Sequence, residues 1–468
     1  MERTQEIAQT AFPASGLHVV SREHRVAVGK ALRDETPRKQ YGQWKEAEAR
    51  PNPIDVLRKS DAGRMKELVP IRYGRMLQSP FAFYRGAAGV MAPDLAQIPN
   101  TGLKVQACGD CHLMNFGGFA TPERHIIFDI NDFDETLPAP WEWDVKRLGA
   151  SIALAARSIG LSDGKAGDCA VTSARSYREH MQEFSRMDPL RIWYTKITAE
   201  DFIAALPKAV RKRVLTHINK GSRSGSELDY PKLAGSVGGQ IRITDHPPLI
   251  FHPEASGASD FQEECKQIFR AYRETLPDDR RILLDRYRVV DAAIKVVGIG
   301  SVGRRCWIAL LMSENNDPLF LQFKEAVESV FEPYAGKSAY SHHGQRVVIG
   351  QRLMQPVSDI FLGWVTAPNG RQFYVRQLHD AKIKPVVETF NAEMLDLYAM
   401  ACGWALAHAH SKVSEISPTI SGYLGSSSDE FDEAIGKFAL AYANQVERDY
   451  AAFKAAVRKG EVPVDQES

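Results

Sequence analysis

The sequence predicts an α+β protein in which a strand-rich block is set inside a largely helical chain. Three observations predict it. Residues 281 to 385 are dense in β-branched and aromatic residues and carry the turn signals "GIGSVG", "ENNDP" and "PNG". The flanking stretches, such as "WEWDVKRLGASIALAARSIGL" and "AEMLDLYAMACGWALAHAHSK", repeat apolar residues at helical spacing. The strands cluster and do not alternate with helices, which separates α+β from α/β.

In order along the chain, residues 1 to 60 are charged and carry Pro37, Pro51 and Pro53, so they predict an irregular arm with short helices. "SPFAFYRGAAGVMAPDLAQIP" predicts a helix stopping at Pro99, and residues 1–100 form a mainly helical extension. "LKVQAC" and "HIIFDI" predict strands around a loop. The apolar helix after them starts at Pro138 and Pro140. Residues 165 to 280 are expected to be mostly helical, broken at "NKGSRSGSELDYPK" and near "TDHPP", and close a block over 101–280. Within 281–385, "CWIALLM" and "LFLQFK" predict strands. Leu319, Leu321 and Phe323 share one face and Phe320, Gln322 and Lys324 the other. A helix is expected within "SHHGQRVVIGQRLMQ" and a hairpin over "DIFLGWVTAPNGRQFYVRQL". Residues 386–468 return to amphipathic helices.

Bulk properties bound the function. The chain has 468 residues, 44% hydrophobic and 25% charged, as in ordinary globular proteins with ample core. A formal net charge of +1 with no long single-sign block predicts no bulk attraction to nucleic acid or to an anionic membrane. No stretch approaches the roughly 18 apolar residues of a membrane span. The start, "MERTQEIAQTAFPASGLHVV", lacks the basic-then-apolar pattern of a secretory signal. Six cysteines with one close pair make no disulfide framework, so a cytoplasmic location is expected. Nothing in the sequence bears on oligomeric state.

The chemistry concentrates in "VQACGDCHLMNFGGF". Cys108, Cys111 and His112 spell C-x-x-C-H, which raises haem attachment, zinc or thiol redox chemistry. A haem needs export, and a structural zinc wants a second close ligand pair. The H-x-H of His408 and His410 is far away in sequence, so the cysteines are read as small packing residues. The same stretch holds Asp110 and, five positions on, Asn115, the spacing of the base and the metal-binding asparagine in a kinase catalytic loop. Seventeen positions later Asp132 follows a strand in "FDINDFDE", where a kinase places its second metal ligand. Asp129 and Asp134 are alternatives for that role.

A second signal is "VVGIGSVG", with Gly298, Gly300, Ser301 and Gly303. In a dinucleotide-binding unit these glycines lead into a helix and then to an acidic residue, an offset that Glu325 fits. In a kinase they cap a hairpin over ATP phosphates, and a later strand carries a lysine, an offset that Lys324 fits. "CWIALLM" as a strand favours the kinase arrangement. The order is then rotated: the catalytic loop precedes the glycine loop. A circular permutation restores it, because glycine loop, lysine, helix, hairpin and the helix "LYAMACGWALAHAHS" would lead into the loop near residue 107.

"GDCHLMNFG", "FDINDFDE", "WEWDVKRLGAS" and "CGWALAHAH" together resemble a large bacterial family catalogued as a domain of unknown function. That family is grouped with the protein-kinase-like and aminoglycoside-phosphotransferase superfamily. The resemblance implies a two-lobed, permuted kinase-like fold and an ATP- and Mg²⁺-dependent phosphotransferase acting on a hydroxyl of an unidentified small-molecule or protein acceptor. It implies Asp110 as catalytic base, Asn115 and Asp132 as Mg²⁺ ligands and Lys324 as phosphate lysine. Asp144 resembles the superfamily's aspartate that braces the catalytic loop. Two departures stand out. Cys108 replaces the histidine before G-D, and no glutamate is evident to pair with Lys324, Glu328 being a candidate outside the expected helix. A catalytically silent nucleotide-binding protein and an NAD(P)-dependent oxidoreductase are the competing readings, and nucleotidyl transfer is left open. Arg72, Arg75 and Arg85 precede the loop and are read as solvated helix arginines, with an anionic site as the alternative.

Overall fold

A computed structural model of the chain describes residues 20–206, 208, 211–212, 215–216, 226–237, 240–253, 258–378, 383–413 and 415–465. The start of the N-terminal arm and most of the polar break near residue 220 lie outside the described residues. Helices and antiparallel sheets occur together, as an α+β protein requires.

The largest sheet has six strands in the order β12-β13-β11-β10-β9-β8. β9 (Tyr287–Lys295), β10 (Cys306–Ser313) and β11 (Pro318–Glu325) form a meander. A helix follows, and the hairpin of β12 (Gly363–Thr366) and β13 (Gln372–Gln377) then returns, placing β13 beside β11. Alternation in β11 sorts the side chains as expected from the sequence. Leu319, Leu321 and Phe323 pack under Tyr272 and Phe269 of the helix Ala258–Arg273, while Phe320 lies in a separate cluster with Ile308 and Leu310. β8 (Ile250–Phe251) joins this sheet, so it begins before residue 281.

Three short pairings lie outside it. β1 (Lys104–Ala107) pairs with β4 (Leu137–Pro140), and β3 (Ile126–Ile130) pairs with β2 (Phe116–Ala120) and β5 (Ile197–Thr198). β6 (Ala234–Val237) pairs with β7 (Gln240–Ile243). The two strands expected around the loop therefore do not pair with each other. Residues 165 to 280 also carry four strands where helix was expected.

The helices that position the candidate site are α1 (Pro80–Gly86), α2 (Ala88–Gln97), α3 (Trp141–Ser158), α4 (Asp163–Phe184), α5 (His343–Met354), α6 (Ala392–Val413) and α7 (Glu430–Arg458). The single helix expected over 79–99 is two, broken at Ala87, whose φ of −122° is not helical. Helix α3 is buried along 141–156 and packs on α4 and α7. The described residues before position 100 share this core. Tyr41 meets Phe431 edge-on at 5.8 Å, and buried Arg50 bridges Asp94 (2.9 Å) and Asp449 (2.7 Å). Among the described residues no helix is long and apolar enough to cross a membrane.

A helix buried on all sides must satisfy its charges internally. Glu142 accepts from Tyr41 and Thr101 at 2.8 Å each. Lys146 finds no hydrogen-bond acceptor; its Nζ lies over the rings of Tyr41 (4.8 Å) and Phe438 (4.5 Å). Burial pushes its pKa down from 10.5 to about 7. A folded-state pKa below the unfolded one costs nothing above pH 10.5, and the cost grows as the pH falls toward 7. Lys146→Met is therefore expected to raise the unfolding free energy at pH 6 by roughly 2 kcal/mol, the pKa difference less the lost ring contacts. Urea denaturation at pH 6 and pH 10 checks this, and the gain shrinks at the higher pH.

Candidate active site

The loop between β1 and β2 holds Asp110 and Asn115. Gly109 has φ +85°, and a β-carbon there would run into the Glu135 carbonyl oxygen, so the turn into Asp110 needs glycine. Asp144, in the first turn of α3, accepts the backbone N–H groups of Cys108 (2.7 Å) and Gly109 (3.0 Å). His410, near the end of α6, meets the same carboxylate through Nε2 at 3.1 Å. A carboxylate only accepts, so Nε2 carries the proton, and Nδ1 faces the Tyr177 hydroxyl at 2.9 Å.

One turn along α3, Arg147 places Nε (2.6 Å) and Nη2 (2.5 Å) on Oδ1 of Asp110. Arg147 is itself fixed, with its guanidinium 4.3 Å from the Tyr84 ring centre and Nη2 donating to the Tyr84 carbonyl at 3.2 Å. Burial raises the Asp110 carboxyl above its usual range, and Arg147 pulls against that rise. His112 is 3.9 Å from Asp110; burial, with Arg85 and Arg147 nearby, holds its pKa well below the ordinary value, so it is neutral.

Asn115 donates from Nδ2 to the Asp110 carbonyl at 2.6 Å, which leaves its carbonyl oxygen as the free end of the amide. Its backbone carbonyl accepts from Asn131 N–H at 2.7 Å, tying Asn115 to the segment of Asp132. Asp132 and Asp134 both meet Lys324, which is 4% exposed: Asp132 at 3.6 Å and Asp134 in a closer ion pair. Burial works against the lysine's charge, but Asp132 and Asp134 outweigh it and raise its pKa well above the usual value. Asp134 also accepts from the Tyr374 hydroxyl (2.8 Å) and the Ser301 hydroxyl (3.4 Å). Ser301 brings the loop of Gly298, Gly300 and Gly303 over the same carboxylate. That loop joins β9 to β10, with Gly298 at φ +68° and Gly303 at φ +84°.

Asp110, Asn115, Asp132, Lys324 and the glycine loop are therefore brought to one place. Asp129 is not; its carboxyl is buried, Oδ2 has no hydrogen-bond partner, and burial pushes its pKa up to about 7. Glu328 is exposed and does not serve Lys324. Asp134 takes that part, and α5 contributes Arg346, which donates to the Thr136 (2.7 Å) and Asp134 (2.8 Å) carbonyls. The stretch "GRRCWIALLMSE" forms strand β10, not the helix that a dinucleotide-binding unit needs. Of the arginines before the loop, Arg72 is not solvated, while Arg75 and Arg85 are partly exposed. Arg72 is buried and bonded to Asp61 (2.8 Å), and Arg75 donates to the Gly298 carbonyl at 2.5 Å.

Cys108, Cys111 and Asp144 offer ligand atoms within 4.8 Å of one another. The Asp144 oxygens are already engaged, however, and burial pushes the Cys111 thiol up to about 11. Its hydrogen bond to Cys111, together with burial, drives the Cys108 thiol well above its usual value. Both thiols stay protonated, as packing cysteines do. His408 faces away from Asp144 and bonds the Ile192 carbonyl at 2.9 Å.

A family model described as an uncharacterized protein conserved in bacteria, DUF2252, matches residues 64–456. The chain belongs to the DUF2252 family. No curated protein and no solved structure matches it. In this DUF2252 chain the matched span runs from Arg64, beside the glycine loop, to Ala456 in the last turn of α7, the helix whose Phe438 ring lies beneath Lys146.

Arg147 and His410 are the site residues that motif spacing missed. Arg147 had a signal, since it lies three positions after Asp144 and so shares its helix face. Arg147→Met leaves the partly buried Asp110 without its counter-ion. It is expected to lower the unfolding free energy by about 3 kcal/mol, and Asp110→Asn in the same chain to recover part of that. Denaturant unfolding of both singles and the double variant measures the coupling.

Proposed function

We propose that the chain is an ATP- and Mg²⁺-dependent phosphotransferase with a permuted, two-lobed kinase-like fold. One observation carries the reading: Lys324, on the third strand of the meander, meets Asp132 and Asp134 beneath the glycine loop. A lysine, an acidic metal-binding segment and a glycine loop around one point suit a nucleoside triphosphate. The sequence of meander, helix α5, hairpin and α6 supports the permuted order. So does the meeting of His410 with the aspartate that braces Cys108, which joins the end of α6 to the start of the catalytic loop.

Asn115 and Asp132 would hold Mg²⁺. A carboxylate and an amide carbonyl oxygen are the hard donors it takes, and the Asn131–Asn115 bond keeps the two segments together. When bound, the ion supplies charge neutralisation to the phosphates. Asp110 orients the acceptor hydroxyl and takes its proton as that oxygen bonds to the γ-phosphorus. The bond from the γ-phosphorus to the β,γ-bridging oxygen breaks, and ADP leaves with the electron pair. Arg147 fixes the rotamer of Asp110. Lys324, keeping Asp134 as its counter-ion, neutralises phosphate charge, and the Gly298–Gly303 loop covers it.

A catalytically silent nucleotide-binding protein is the second reading, favoured by the close Arg147 pair on Asp110 and by Cys108 in place of histidine. Against an oxidoreductase, the glycines enter a strand.

Calorimetry with ATP, with and without Mg²⁺, and with NAD(P)H tests the assignment. ATP is expected to bind only with Mg²⁺, and Lys324→Ala to weaken it at least tenfold. Asp110→Asn is expected to keep binding and lose ADP release in the presence of hydroxyl acceptors. Nicotinamide binding without ATP binding refutes the proposal; ATP binding without any turnover selects the silent reading.

A further inference from the structure

Arg85 sits in the last turn of α1, directly under the glycine loop: a β-carbon on Gly300 would lie 3.5 Å from its carbonyl oxygen. Its side chain is half-buried, and Nε is buried with no hydrogen-bond partner. Its charged surroundings are specific. Asp110 and Glu388 favour its charge, but burial outweighs them and lowers its pKa. Asp110, however, is already held by Arg147 at 2.5 Å. His112 beside it is neutral and offers no counter-charge.

Lys384 shares a field with Arg376 and Asp132 and, more weakly, with Arg85. Its segment is anchored where Ile383 exchanges backbone hydrogen bonds with Gly118 (2.9 and 2.8 Å). Lys384 is solvent-accessible, yet burial and the cations Arg376, Arg85 and Lys324 push its pKa down, against the pull of Asp132. Holding several cations in one field is unfavourable until an anion joins them.

The cations divide between two ends of the cleft. Arg376 belongs to the Lys324 end, where it faces Asp132 and Asp134, donates to Gln322 at 3.0 Å and lies over Tyr374. Arg85 belongs to the other end, beside Asp110 and His112. A triphosphate on Lys324 occupies the first end. The group beside Asp110 is the one that gives up its proton, which is the acceptor.

We propose that Arg85, with Lys384, forms an anion subsite beside Asp110, so that the acceptor is a hydroxyl compound bearing a phosphate or carboxylate group. The subsite deepens the phosphotransferase reading and rests on it. A planar guanidinium with an unspent N–H suits an oxyanion better than a neutral sugar hydroxyl. Arg85 positions and binds, while Asp110 remains the group that moves the proton.

The test is calorimetry on the full chain loaded with Mg²⁺ and the non-hydrolysable analogue AMP-PNP, so that the γ-phosphate position is filled. Inorganic phosphate and acetate are titrated separately. At least one anion is expected to bind, tenfold or more weakly to Arg85→Gln and to Lys384→Met. Arg85→Lys is expected to recover part of the loss, and thermal melting confirms that each variant is folded. Binding of phosphate alone indicates a phosphorylated acceptor and of acetate alone a carboxylate; either supports the subsite. Binding of neither anion to the loaded chain, or equal binding by Arg85→Gln, overturns it. A tenfold loss of AMP-PNP affinity in Arg85→Gln, with anion binding unchanged, also overturns it by placing Arg85 on the nucleotide. If AMP-PNP does not bind at all, the nucleotide reading falls separately. The same titration of the unloaded chain then keeps the subsite if anion binding depends on Arg85 and removes it if not.

Discussion

The ion pair of Lys324 with Asp134 is the constraint around which the rest of the site is arranged. A lysine 4% exposed is tolerable only with its counter-charge in place. The sheet that carries the lysine and the segment 132–134 are therefore obliged to stay together, although they are far apart in sequence. Tyr374 from β13 and Ser301 from the glycine loop complete the polar shell of the same carboxylate. The charge on helix α5 follows from this. With the lysine's counter-ion supplied by Asp134, a carboxylate on α5 has nothing to do. The helix presents Arg346 instead, which grips the backbone carbonyls of Asp134 and Thr136 and holds the acidic segment under the sheet.

Helix α3 does the corresponding work on the other side. Asp144 and Arg147 lie on one face, one turn apart, and both point at the loop of residues 108–115. Asp144 fixes the loop's backbone and Arg147 its one outward carboxylate. Because α3 is buried along 141–156, both side chains are enclosed by the core around them. His410 adds a further support from α6, so side chains of two helices meet at the carboxylate that holds two successive peptide N–H groups.

How much of this was legible in the sequence depends on the range of the forces involved. The meander was legible because strict alternation in "LFLQFK" assigns a face to each residue, and Lys324 falls on the polar-capable one. Strand β10 was legible over a helix because "CWIALLM" is a short apolar run bounded by the turn signals "GIGSVG" and "ENNDP". Strand β2, "FGGFA", was not. Its glycines show no alternation, and it forms because Gly117 lets the Ile383 backbone approach closely. Strand β4 hides behind Pro138 and Pro140, which looked like a helix start; a two-stranded edge pairing tolerates them. The short strands of residues 197 to 251 have two to four residues each and leave no period to detect. His410 was visible only as half of an H-x-H pair. Neighbours two apart on a helix face different ways, so its real partner at Asp144 belongs to tertiary contact alone.

Residues 62–85 of the N-terminal segment hold the glycine loop from one side. Three of the loop's carbonyl oxygens are taken from that side: Gly298 by Arg75, Val302 by Arg64, and Gly303 by the backbone N–H of Met65. In the proposed phosphotransferase a carbonyl aimed at the triphosphate would repel its charge, and these oxygens are instead held by residues of the N-terminal segment. Val302 packs with Leu68 and Ile71, which makes the arrangement part of a small hydrophobic cluster and not a set of surface contacts. The segment that looked like a solvated extension thus forms the outer wall of the cleft. Its arginines divide the work by position: Arg64 and Arg75 hold the loop from outside, and Arg85 reaches past it toward Asp110.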